Sequence, residues 1–443
     1  SRFFSLDRRF SGSVRFQLGS HRVPYPAMQL SRRVLSLKPS ATVAVTARAK
    51  ELTRQGVKVL SFGQGEPDFD TPDKIKQAAI DAIRAGQTKY GPAAGDPETR
   101  AVIAEKLTRE NRIPNVTANH VVVAPGGKHA LYLIFQALLD PPAPGEAPWE
   151  VILPVPAWVS YDPMIRMAGG EVVQLETTPQ RDFKITPEQL ERAITPRSRL
   201  LILNSPSNPC GTMYTPDELR ALAAVVEKAA KTVAPDLVVL SDEIYEKIVY
   251  GGIEQMSIGS IPAIAERTVT MNGMSKAFAM TGWRIGYLAG SGEFGLQVAK
   301  AAEKLQGQIS TCIASFVFPA IRVALTQCHE EVEMMRQAFA RRAELIYGIV
   351  SQIPGVVCPR PTGAFYLYPD ISAHLGKTSP GGRKLNASKD VAEALLEECR
   401  IALVSGEDFG AGGERYIRIS FACSDEQIRE GMGRMAEFFG RLR

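Results

Sequence analysis

Cysteine is scarce in this 443-residue chain. The six copies, at positions 210, 312, 328, 358, 399 and 423, form no CxxC pair and no cluster with histidine. That scatter offers neither a disulfide framework nor a zinc site, and it suits a reducing compartment. Long apolar runs are absent too. None approaches the roughly 18 residues of a membrane-spanning helix, so no membrane partner is expected. A sustained charge of one sign is also missing. The net charge is +5, yet residues 1–40 alone carry seven Arg and one Lys against one acid, Asp7. Without them the chain is nearly neutral, so no nucleic-acid partner is implied. What remains, 45% hydrophobic and 22% charged residues, is ordinary for a globular protein long enough for two domains.

The first residues stand apart. Residues 1–27 are rich in Arg and Ser and nearly free of acids, the composition of an organellar transit peptide. A non-native leader, or translated sequence ahead of a start at Met28, reads the same way. Residues 1–29 are therefore set aside as a leader or disordered extension. The expected location is cytoplasmic, or a plastid or mitochondrion if the segment is a transit peptide.

From Leu30 an ordered pattern begins. Ser40–Arg54 reads as a helix and Val57–Phe62 as a strand. A glycine turn, Gly63-Gln-Gly-Glu-Pro-Asp-Phe69, follows, and Thr71-Pro-Asp73 opens a helix to about Ala85. Further on, short apolar runs at 120–124, 151–153, 200–203, 237–240 and 268–271 alternate with helical stretches. That alternation predicts an α/β fold, a mainly parallel sheet covered on both faces. Ligands in such sheets sit beyond the carboxyl ends of strands. Each of these runs ends in a polar motif: Gly126-Gly-Lys128, Pro154 to Tyr161, Asn204 to Gly211, Ser241-Asp-Glu-Ile-Tyr245 and Asn272 to Arg284. After residue 325, long helices (330–352, 388–400, 424–441) and short strands (364–368, 416–421) predict a smaller α+β domain. The expected division is an arm at 30–60 that contributes to the small domain, a large domain at 61–324 and the small domain at 325–443.

The stretch Asn272-Gly-Met-Ser-Lys-Ala-Phe-Ala-Met-Thr-Gly-Trp-Arg284 organises the chemistry. A lysine on a turn at a strand end can form a Schiff base with an aldehyde cofactor. Arg284, eight residues after Lys276, can clamp a phosphate with its fork of donors. Aldehyde and phosphate together point to pyridoxal phosphate, whereas in isolation the pair would be surface residues flanking a loop. Such a cofactor makes further demands. Its pyridine nitrogen needs a carboxylate, and Asp242 fits, although a helix N-cap would use the same residue. Its phenolic oxygen needs donors, which Asn208 and Tyr245 supply; their plainer readings are turn chemistry and an aromatic covering the sheet. Its flat ring needs a stacking face, and Trp158 is that or a core residue. Its phosphate suits the backbone N–H groups of Gly126 and Gly127 at a helix start, with Arg284 as the cation.

Taken together, these residues resemble the class I and II aminotransferases. The lysine segment matches their attachment-site pattern. The order Asn208-Pro-x-Gly, Asp242-x-x-Tyr245, Lys276 and Arg284 is that of fold-type I pyridoxal-phosphate enzymes. From about Leu30 to the C-terminus the chain is similar to prokaryotic-type aspartate aminotransferases, including the branch that uses prephenate. Ser31-Arg-Arg-Val, Lys38-Pro-Ser-Ala-Thr-Val43 and Gly65-Glu-Pro-Asp-Phe-Asp-Thr-Pro72 carry that likeness. The resemblance implies a large domain with a mostly parallel seven-stranded sheet, and Lys276, Asp242 and Tyr245 as catalytic residues. It implies that Arg418 grips the substrate α-carboxylate with help from the Gly65 N–H, beside Trp158 and Asn208. Thr42 and Lys128 fall where this branch binds a distal carboxylate, and Lys128 also borders the cofactor. Tyr90 is implied to reach the phosphate of the neighbouring subunit in a homodimer. On their own, Arg418 would be a salt-bridged strand residue and Lys128 a solvated helix start. Three departures stand out. Gly273 replaces a phosphate-binding Ser of some relatives, Cys210 stands where Thr is common, and the segments 141–148 and 376–383 are longer than typical.

The implied reaction is ping-pong transfer of an amino group between aspartate or glutamate and a 2-oxo acid: 2-oxoglutarate, oxaloacetate or prephenate. Lys276 would carry the proton as general acid and base. Alanine-type transamination or carbon–sulfur lysis on the same fold is the alternative, and Thr42 and Lys128 argue for a dicarboxylate instead. A cofactor-binding DNA regulator would need a helix-turn-helix module, and none fits residues 1–40.

Overall fold

The short apolar runs become the inner strands of one sheet, because runs of this kind are stable only when both faces are covered. The computed structural model describes residues 30–35, 37 and 41–443; the side chains of 32 and 41–46 and the expected leader lie outside the described residues. The described residues before Pro39 belong to a separate unit and contain one helical turn, Arg32–Leu35. Everything that follows belongs to the unit from Pro39 to Arg443.

Its strands are β1 (Leu60–Ser61), β2 (Val121–Ala124), β3 (Glu150–Val155), β4 (Glu171–Glu176), β5 (Ser198–Asn204), β6 (Val238–Asp242), β7 (Thr268–Gly273), β8 (Gly286–Gly290), β9 (Tyr366–Leu367), β10 (Ile401–Ala402), β11 (Val404–Ser405) and β12 (Ile417–Ser420). Seven of them form a sheet in the order β2-β8-β7-β6-β5-β3-β4. β3 to β7 run parallel, and β8 pairs antiparallel with both β7 and β2. The sheet is therefore mostly parallel, as expected. β4 and β8 were not anticipated. β4, Glu-Val-Val-Gln-Leu-Glu, is an edge strand with exposed charged ends. β8, Gly-Tyr-Leu-Ala-Gly, has no β-branched residue, and its neighbours rather than its propensity make it a strand.

Helices close both faces. Gly127–Leu138, Tyr161–Met167 and Gly292–Ile309 pack on Val122, Leu153, Leu240, Val269 and Leu288. Pro187–Ala193 and Pro216–Thr232 cover Ile152, Leu201 and Val239 on the other side. The second of these shows how locally the sequence specifies its start. Pro216 stands at the first helical position, the Thr215 hydroxyl accepts from the Glu218 N–H at 3.2 Å, and Glu218 accepts from the Thr215 N–H at 2.7 Å. Such a box stabilises the helix by about 1 kcal/mol. Leu219, Leu222, Ala223 and Val226 then form its buried stripe.

The C-terminal part builds a second core. β11, β12 and β9 form an antiparallel sheet, while β1 pairs parallel with β10. Helices His329–Val350, Ser388–Cys399 and Asp425–Gly440 bury Phe339, Ile346, Leu395 and Met432 against Phe365, Ile417 and Phe421. The expected strand 57–62 is reduced to the two residues of β1. The long 376–383 segment is held to helix Ser388–Cys399: Ser379 and Gly381 donate to Glu398, and Arg383 pairs with Glu393 and Glu397.

Candidate active site

The parallel strands bring the carboxyl ends of β3, β5, β6 and β7 to one edge of the sheet. β2 runs the same way as β7, because each is antiparallel to β8. The five polar motifs therefore converge. β8 enters from this edge, so Arg284, two residues ahead of it, arrives there too. The turn demands a left-handed backbone at Arg284 (φ 57°), and its Nη1 donates to the Thr281 carbonyl at 2.9 Å. Gly126, also left-handed with φ 94°, lies beneath the guanidinium; a Cβ there would come within 2.8 Å of Arg284 Cζ. The helix starting at Gly127 points its free N–H groups to the same place, which makes an anion cradle of backbone donors and one cation. At Gly273 the pairing with Gly286 leaves no room for a side chain, since a Cβ would sit 2.8 Å from the Ile285 carbonyl oxygen.

Lys276 follows β7 and donates its ammonium to the Gly65 carbonyl. Its nitrogen lies 5.9 Å from the ring centres of Tyr245 and Phe365. No carboxylate among the described residues forms an ion pair with it. Burial pulls its pKa down to about 8, helped by the charges of Arg418 and Arg284, while Glu66 and Asp242 pull the other way. Asp242, at the end of β6, is buried. Its Oδ1 accepts from the Ile244 N–H at 3.2 Å, so it caps a turn rather than a helix. Its Oδ2 accepts from the Tyr161 hydroxyl at 2.5 Å. Burial lifts its pKa to about 6 against these donors and the Lys276 charge.

Tyr245 shares a 2.8 Å hydrogen bond with the hydroxyl of Tyr366, which comes from β9. Asn208 is more than a turn residue: its Oδ1 accepts from Arg418 Nη1 at 3.0 Å. Arg418 itself is 2% exposed on β12, donates Nη2 to the Gly63 carbonyl at 2.8 Å, and lies over the rings of Tyr366 and Phe409. It has no acidic partner among the described residues, and its buried Nε has no acceptor. The salt-bridge reading of this strand residue therefore fails, and a cation stands ready for an anion. Lys128 places its ammonium 5.0 Å from the centre of the Trp158 ring, and burial together with the Arg284 charge holds its pKa below the usual lysine range.

Lys276, Asp242, Tyr245, Asn208, Arg418, Gly65, Arg284 and Gly126 are thus linked by contacts or mutual charge. Tyr90 is not among them; it is 88% exposed. Thr42 lies in the first turn of helix Ala41–Arg54, with its side chain outside the described residues. Sequence reasoning assigned no role to Tyr161 or Tyr366. Tyr161 was detectable from its spacing three residues after Trp158, on whose ring it packs edge-on (5.4 Å, 87°). Nothing in the sequence marked Tyr366.

Residues 57–435 match the family model for aminotransferase class I and II. The chain belongs to that family. An aspartate/prephenate aminotransferase of Cereibacter sphaeroides is 44% identical over 93% of this chain and 99% of the relative. One from Thermus thermophilus is 45% identical over the same shares. Among solved structures, the aspartate aminotransferase of Rhizobium meliloti has a TM-score of 0.86 at 37% identity, covering 94% of this chain and all of that one. The Thermus thermophilus aspartate aminotransferase with maleate has a TM-score of 0.83 at 43% identity, covering 93% of this chain and all of that one. In this aminotransferase the matched region contains every motif that converges at the sheet edge. No helix among its described residues is long and apolar enough to cross a membrane.

Proposed function

We propose that this aminotransferase uses pyridoxal phosphate to move an amino group between aspartate or glutamate and a 2-oxo acid, with 2-oxoglutarate, oxaloacetate and prephenate as acceptors. The observation that carries the reading is Arg418, a buried guanidinium with one unpaired nitrogen and no acidic partner among the described residues. A buried charge of this kind is costly unless an anion completes it. A substrate α-carboxylate does so through a forked pair of hydrogen bonds.

The residues present fit the cofactor. Arg284 over Gly126, at a helix N-terminus, suits its phosphate. Lys276 carries an ammonium whose lowered pKa suits it to give up a proton and serve as attachment point. When bound, pyridoxal phosphate supplies a ring that withdraws electrons from the substrate α-carbon. Asp242 would hold the proton on the ring nitrogen, Tyr245 and Asn208 would serve the phenolic oxygen, and Trp158 would give the stacking face. Lys276 Nζ would move the proton at the α-carbon as general acid and base. Lys128, with Thr42, holds the distal carboxylate; maleate, present with the Thermus thermophilus relative, is a dicarboxylate. Tyr90, 88% exposed, would complete the site of a second copy in a homodimer, and the enzyme would work in the cytoplasm.

The test is an absorbance spectrum of the purified protein with and without L-aspartate, followed by a donor and acceptor panel that includes alanine and prephenate. A protein that binds no pyridoxal phosphate, or that takes alanine as readily as aspartate, would refute the reading.

A further inference from the structure

We propose that Tyr161 is a positioning residue that holds Asp242 as a carboxylate turned toward the cofactor ring, so that the ring nitrogen keeps its proton. The inference rests on the pyridoxal-phosphate reading and extends it to a residue with no other part in it. Asp242 is 3% exposed and Tyr161 is 1% exposed. A carboxylate so deeply buried stays ionised only if donors replace the lost water. Asp242 has two on its side chain: the Ile244 N–H on Oδ1 and the Tyr161 hydroxyl on Oδ2, at 2.5 Å the shorter of the pair. No cation among the described residues forms an ion pair with it. The other titratable groups that act on it are the Lys276 ammonium and the Tyr245 phenol. Against the upward push of burial, the Tyr161 hydrogen bond is the largest opposing influence, ahead of the Ile244 N–H and the Lys276 charge.

The same residue also sets the plane of the site. Tyr161 opens helix Tyr161–Met167, its backbone N–H donates to the Trp158 carbonyl at 3.1 Å, and its ring meets the Trp158 ring edge-on. Trp158 gives the stacking face and Asp242 the charge, so one side chain fixes the angle between them. Phenylalanine would fill the same space in this core. The hydroxyl is what distinguishes Tyr161, and it donates to Asp242.

The experiment loads wild type and Tyr161→Phe with 15N-labelled pyridoxal phosphate and reads the ring-nitrogen resonance by NMR at neutral pH. The wild type should give the protonated signal, and Tyr161→Phe should move toward the neutral one. Turnover should fall about ten- to a hundredfold, the range of one charge-assisted hydrogen bond, with KM for aspartate little changed. In an Asp242→Asn background the same substitution should cost almost nothing further. An unchanged nitrogen signal in Tyr161→Phe, or an equal cost in both backgrounds, would overturn the assignment. A wild type that takes up no cofactor would instead overturn the reading beneath it.

Discussion

Replacing Arg418 with lysine keeps the charge and removes the fork. In the structure Nη1 serves Asn208 Oδ1 at 3.0 Å and Nη2 serves the Gly63 carbonyl at 2.8 Å, while Nε is unpaired. The guanidinium therefore holds the site together and still presents donors to an incoming carboxylate. A lysine has three donors. If two replace the bonds to Asn208 and Gly63, one remains for substrate, and a forked contact becomes a single one. One charge-assisted hydrogen bond contributes roughly 1.5–3 kcal/mol, so kcat/KM should fall about ten- to a hundredfold or slightly more. Because every amino acid carries an α-carboxylate, the loss should be the same for aspartate, glutamate and alanine. Steady-state kinetics with these three donors, on protein checked by circular dichroism, measures it. Near-normal kcat/KM in Arg418→Lys would show that the cation is structural. A loss confined to aspartate and glutamate would put Arg418 at the distal end of the substrate and reverse the binding direction.

Three further outcomes follow from the same geometry. Lys128→Met should lower kcat/KM for aspartate and glutamate about ten- to a hundredfold and leave alanine nearly unchanged; an equal loss for all three would tie Lys128 to the cofactor or to Trp158. In cofactor-free protein, Lys276 has a pKa of about 8 against an ordinary 10.5, so between those values the folded chain has released a proton that the unfolded chain retains. Stability should therefore rise with pH across that window, by at most about 1.4 kcal/mol per pH unit and about 3 kcal/mol in all. Denaturant unfolding should show that rise in wild type and not in Lys276→Met, and identical slopes would disprove the shift. Mixing an inactive Tyr90 variant with an inactive Lys276 variant should restore some activity through hybrid dimers, whereas a fully active monomer would exclude sharing across an interface.

Much of the site was legible because its chemistry is local in sequence. Asp242 and Tyr245, or Lys276 and Arg284, lie within a few residues of a strand end, and an apolar run marks that end. Contacts made by tertiary packing alone leave no such mark. Tyr161 meets Asp242 across 81 residues and Tyr366 meets Tyr245 across 121, and neither Tyr161 nor Tyr366 was given a role from sequence. Gly273 shows the converse. Against relatives it looked like a lost phosphate contact, but its place opposite Gly286 leaves space only for hydrogen.

β8, one of two strands of the large sheet that sequence reading passed over, explains why Arg284 lies at the same edge as Lys276. A parallel β8 would begin at the far edge of the sheet and carry Arg284 away from Lys276. Running antiparallel, it begins at the near edge, and the chain reverses between Lys276 and Gly286 without leaving the site. That reversal forces Arg284 into a left-handed backbone, a conformation that costs a non-glycine residue about 1 kcal/mol or more. The Thr281 carbonyl helps to hold it by accepting from the side chain. Glycine would relax the backbone and remove the cation, so the strain and the proposed phosphate contact belong to one residue.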